Sequence, residues 1–171
     1  MLWTALLGVA HPYLGQMVYL SRLAAMPAPA ALRMPIPNVP ATKLQDTWHA
    51  PRAGGRRHEG IDIFSAKGTP VYATTEGVVL RRGRNRLGGN VVWVLGPGGQ
   101  RHYYAHLDRF AHLSAGERVY PGTIVGYVGN TGNARTTPPH LHYGIYSRRG
   151  PVNPYPLFVP SRTATPAAGS I

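Results

Sequence analysis

Histidine is concentrated in three short stretches of this chain. "TPPHLHYGIY" holds His140 and His142, "RRHEGIDIF" holds His58 with the carboxylate of Asp62, and "HYYAHL" holds His102 and His106. Imidazole and carboxylate together are ligands for a divalent ion such as zinc, which takes four ligands in a tetrahedron. A catalytic zinc site uses three protein ligands and keeps the fourth position for water, whose acidity rises sharply on binding. Histidines that do not bind the metal can move protons, because imidazole titrates near neutral pH. The three stretches carry enough groups for both tasks. Spacing alone does not divide them: His140 and His142 could both be ligands, as in a three-histidine site. No H-E-x-x-H helix occurs, which excludes a thermolysin-like arrangement. His11, His49 and His112 stand apart and read as ordinary polar residues.

Those groups need elements that aim them. In a strand, residues i, i+2 and i+4 share a face. His140 and His142 therefore point the same way, about 7 Å apart along the strand. By the same rule His58 and Asp62 share a face, with Gly60 allowing the backbone to bend between them, and so do His102 and His106. The surrounding chain reads as mainly β. Short runs occur at Ile61–Phe64, Val71–Ala73, Gly77–Arg82, Val91–Leu95, Arg101–His106, Thr123–Val128 and Leu141–Tyr146, separated by glycine turns such as "RRGRNRLGGN" and "GNTGNARTTPP". The 21 glycines and 17 prolines suit turns and short strands better than long helices.

The segment from Arg57 to Tyr146 resembles the lysostaphin/LytM-type zinc endopeptidases, which cut peptide cross-links of bacterial cell wall. The resemblance rests on "HEGIDI", "GTPVYATTEGVV", "GGNVVWV", "YYAHL", "GERVYPGTIVGYVGNTGNA" and "PPHLHY", in that order. It implies a compact antiparallel β-sheet core of the duplicated hybrid motif type, with the site in a groove between loops. It also implies one zinc ion, with His58, Asp62 and His142 as ligands and His106 and His140 as the catalytic pair. The spacing of those two does not divide the roles of base and oxyanion donor. The implied substrate is the peptide stem or cross-link of peptidoglycan. Tyr143-Gly144 follows the H-L-H motif where many relatives have Phe-Glu, a variation outside the ligand set.

Four regions follow along the 171 residues: an apolar leader over 1–26, a Pro/Ala-rich linker over 27–47, the endopeptidase domain over 48–158 and a disordered tail over 159–171. The prolines make the linker stiff and extended, not a core element. Residues 2–20 read as a signal peptide or membrane anchor, although no basic residue precedes them. The implied location is the cell envelope, periplasmic or secreted.

With a net charge of +12, only six acidic residues and a pI near 10.7, the chain is drawn to polyanions, above all an anionic cell-wall surface. The arginine-rich "RRGRNRLGGN" would bias the site toward acidic stems or glycan. Nucleic acid fits poorly, since no oligonucleotide-binding motif is present. A catalytically silent wall-binding regulator of amidases is the other alternative, and the full set of histidines argues against it. Cysteine is absent, which excludes disulfides and thiolate sites.

Overall fold

The computed structural model describes the backbone of residues 2–159 and the side chains of residues 14–159. Ten strands follow one another: β1 (Ile61–Phe64), β2 (Pro70–Tyr72), β3 (Gly77–Asn85), β4 (Gly89–Leu95), β5 (Arg101–Leu107), β6 (Arg109–Phe110), β7 (Arg118–Val119), β8 (Ile124–Tyr127), β9 (His140–Ser147) and β10 (Gly150–Val152). A helix α1 (Leu2–Ala25) precedes them and a single turn α2 (Tyr155–Phe158) follows. The larger sheet has the order β1-β9-β5-β4-β3-β7, with β10 also on β9, and the smaller one is β2-β8-β6. Every pairing is antiparallel. The expectation of a mainly β, antiparallel fold holds.

Alternation sorts the two faces of the larger sheet. Ile61 and Ile63 of β1, Leu141, Tyr143 and Ile145 of β9, and Tyr104 of β5 point to one side. There they meet Val71 and Val125 of the smaller sheet in one buried cluster. Each such side chain contributes about 1.5–3 kcal/mol by leaving water. The opposite face carries Asp62, His140 and His142. Register places Asp62 directly across from His142 and Phe64 across from His140.

The structure corrects the sequence reading in three places. The stretch "RRGRNRLGGN" is mostly strand: β3 runs to Asn85, paired with Gly89, so only Arg86, Leu87 and Gly88 form the turn. Arginine on an exposed ribbon has its stem along the strand and its head in water, so charge did not mark a loop. The linker does enter the core: Ile36 and Leu44 are buried in the main cluster, and Leu32, Met34 and Val39 pack on it. Proline fixes an extended backbone there, which leaves the apolar side chains between prolines free to be buried. The third correction concerns His102 and is taken up with the site.

The C-terminal turns of α1 lie against β3. Tyr19 and Leu23 bury themselves with Val78, and the Tyr19 hydroxyl lies 3.2 Å from Glu76, which also pairs with Arg22 at 3.6 Å. No described helix is long and apolar enough to cross a membrane. The expected tail falls, beyond Val159, outside the described residues.

Candidate metal centre

His58, Asp62 and His142 bring three ligand atoms together. His58 Nε2 and His142 Nδ1 each lie 3.1 Å from Asp62 Oδ1, and 2.8 Å from one another. The edge of a tetrahedron with bonds of 2.0–2.1 Å is about 3.3 Å, so a zinc ion fits this triangle with small adjustments. The proton count agrees. The Nδ1–H of His58 donates to the Thr47 carbonyl at 2.9 Å, which leaves Nε2 as a bare lone pair facing another nitrogen and a carboxylate. Convergent lone pairs of this kind suit a cation. Among the described residues this is the single group of three such side chains placed to hold one.

The backbone explains why these atoms converge. His58 is clamped by its own strand-like pairing with the preceding segment, His49 N–H donating to the His58 carbonyl and His58 N–H to that of Ala50. Gly60 lies at a bend, as expected, and matters for space as well: a Cβ there would sit 2.5 Å from the Tyr143 carbonyl and 2.7 Å from the His142 ring. Arg52, which sequence reasoning missed, donates to Asp62 Oδ2 at 2.7 Å and leaves Oδ1 to the histidines. Burial pushes the Asp62 carboxyl up, but His142 and His58, when they carry protons toward it, outweigh burial and hold the group well below the usual range.

His140 and His106 stand beside the triad. His140 Nε2 is 4.0 Å from Asp62 Oδ1, and the His106 and His140 rings meet edge to face at 4.9 Å. Each is fixed like His58: His140 Nδ1–H donates to the Pro138 carbonyl and His106 Nδ1–H to that of Thr131, both at 2.9 Å. In all three the tautomer is set by a backbone acceptor, so Nε2 is the free lone pair. Burial, then the neighbouring His142 and His140, push His106 down to about 4.

His102 does not join them. Between β4 and β5 the register slips, so that Ala105 and His106 together oppose Val91. His106 takes the positive φ of 62°. This bulge turns His106 to the site face, although four residues earlier His102 points into the core. There it is fully buried, with Nδ1 2.6 Å from the Tyr143 hydroxyl, Nε2 without a partner, and its pKa lowered by burial to about 4. The alternation rule fails because the chain is not extended throughout.

The five histidine and aspartate side chains His58, Asp62, His106, His140 and His142 line one cavity of about 980 Å³. Phe64, Tyr103 and Tyr146 give it an aromatic wall, and Arg52, Arg56, Arg57 and Arg86 a basic rim. The model for "Peptidase family M23" matches residues 56–154. The chain belongs to peptidase family M23. Its likeness to the lysostaphin/LytM-type enzymes is thereby established. This M23 chain is 41% identical over 134 residues to the L-Ala--D-Glu endopeptidase of Bacillus subtilis, covering 71% of this chain and 41% of that protein. It is 35% identical over 114 residues to the peptidoglycan DD-endopeptidase ShyA of Vibrio cholerae, covering 64% and 25%. Among solved structures, the catalytic domain of lysostaphin from Staphylococcus simulans superposes with a TM-score of 0.59 at 31% identity, over 67% of this chain and 90% of that one. The M23 chain thus spans about two fifths or less of the length of these two curated relatives.

Proposed function

We propose that this protein is a zinc-dependent endopeptidase that hydrolyses peptide stems or cross-links of peptidoglycan in the cell envelope. The observation that carries the reading is the convergence of three ligand atoms beside two tethered imidazoles in an open groove. The family and the names of the relatives support the substrate. His58, Asp62 and His142 would hold the ion. A bound zinc ion supplies Lewis acidity toward water and a peptide carbonyl.

The chain's own residues do the rest. His106 and His140 direct Nε2 lone pairs inward, so either can accept the proton of an attacking water and return it to the departing amine. Once Nε2 carries a proton, the same ring becomes a donor toward the oxygen on which charge develops. Tethering at Nδ1 keeps both rings oriented through these transfers. Arg52 holds the Asp62 carboxylate in place from its far side.

The test is digestion of purified wall fragments with and without a chelator, reading new amino groups by mass spectrometry beside the metal content per chain. Chelator-sensitive release with one zinc per chain is the expected result. Bound zinc without hydrolysis, together with stimulation of an amidase, would replace this reading with that of a regulator.

A further inference from the structure

Charge is unevenly balanced around the groove. Four arginines line it, against the two acids Asp62 and Glu59. Asp62 is already engaged by Arg52 and the histidines, and Glu59 is exposed, which leaves it as the one acid at the groove to set against the arginines of the rim. Elsewhere basic and acidic groups meet: Arg22 with Glu76, and Lys67 and Arg109 with Asp108. Arg56, Arg57 and Arg86 are exposed, and among the described residues none of them is in an ion pair. Arg56 Nε and Arg57 Nη1 each donate to a carbonyl of their own segment, which leaves most of the guanidinium donors open.

Their positions matter as much as their number. Arg56 and Arg57 immediately precede His58, next to β1. Arg86 sits at the tip of the β3–β4 hairpin, and β9 and β5 lie between β1 and β4. A ligand lying across these strands passes the His58–Asp62–His142 triad with cations toward both ends. Of the arginines in the basic ribbon, Arg86 faces the groove, whereas Arg82 covers Phe110 and Arg84 donates to Asn90.

We propose that Arg56, Arg57 and Arg86 select peptides that carry free carboxylates on either side of the bond to be cut, over the same peptides with those carboxyls amidated. The inference rests on the peptidoglycan reading and narrows its substrate to acidic stems. Guanidinium suits the task because its planar donors match a carboxylate in pairs.

The experiment compares one cross-linked stem peptide with free carboxyls and its amidated counterpart, using the full chain loaded with zinc. The free form should be cut with a kcat/KM about tenfold higher, the combined effect of a few partly screened ion pairs. The combined variant Arg56→Gln/Arg57→Gln/Arg86→Gln should lose that preference, so that the ratio of kcat/KM for the free and amidated peptides falls to about one. Arg148→Gln/Arg149→Gln, which lowers charge on an exposed turn that does not line the groove, should keep the preference. Equal cleavage of both peptides by the parent protein would overturn the proposal. So would a preference that survives the triple variant or disappears in the Arg148/Arg149 control. If the parent cuts neither peptide, the endopeptidase reading fails, and fluorescence anisotropy of the labelled uncut peptides decides recognition separately. Tighter binding of the free form, lost in the triple variant, would sustain it, and equal binding or tighter binding of duplex DNA would end it.

Discussion

His58, His106 and His140 reach the site with their tautomers set in the same way, by Nδ1–H donation to the carbonyls of Thr47, Thr131 and Pro138. Only the first of them lies within ligand distance of both Asp62 and His142, and that difference is what the proposed division of roles predicts. His142→Ala should leave the protein without stoichiometric zinc and without activity. His140→Ala and His106→Ala should keep near one zinc per chain and lose about 10²–10⁴-fold in turnover, the range for removing a proton-transfer group. Metal analysis beside a hydrolysis assay checks both, and loss of zinc from His140→Ala would show that ligand and proton carrier had been exchanged. Arg52 acts at one remove, through Asp62. Arg52→Ala should weaken zinc binding about 10–100-fold, as for other groups that orient a ligand, and Arg52→Lys should restore part of it. Competition with a chromophoric chelator measures this without reference to activity.

At the scale of elements, the β5 bulge decides which histidine of that strand faces the site. It is held from outside by the loop after β8, where Thr131 N–H and carbonyl both meet His106. That loop crosses the β3–β4 hairpin by glycine contact: a Cβ on Gly132, at φ 71°, would sit 2.3 Å from Gly89 N and from the Leu87 carbonyl. Gly132→Ala should therefore cost about 1–3 kcal/mol through backbone strain and crowding. It should also slow turnover while zinc is retained, because the triad lies on β1, the segment just before it and β9. Urea denaturation and metal content together test this. Seven β runs were legible in the sequence because apolar alternation and glycine turns mark them. The two-residue strands β6 and β7 are too short to show a period, and β10, Gly-Pro-Val, has only one large apolar residue. The site was half legible from spacing: His140 and His142 share a face as alternation requires, but no local pattern announces the positive φ of His106. The division between ligands and proton carriers came from family resemblance. Arg52 carried no signal, since its partner is ten residues away across an irregular turn.

For the whole molecule, burial of neutral imidazoles ties stability to pH. His102 is held down to about 4 by burial, and His106 to about 4 by burial and its histidine neighbours. In the unfolded chain both return to about 6.5. Between those values the unfolded chain binds more protons, so this stability is complete above about pH 6.5 and is lost as the pH falls toward 4. The loss is about 3 kcal/mol for each. Urea midpoints of metal-free protein at pH 7 and 4.5 should record the drop, and His102→Gln should flatten part of it. The proline-rich stretch has its own consequence. The family model marks residues 56–154, yet Ile36 and Leu44 are sealed among the strands and the Leu32 N–H bonds the Leu157 carbonyl. A fragment begun at residue 48 would open two holes worth about 1.5–3 kcal/mol each. It should melt lower than one begun at residue 27 and should bind a dye that detects loose interiors. The stretch marked by the family model is smaller than the packed unit, and an isolated catalytic unit is expected to need a start upstream of Leu32.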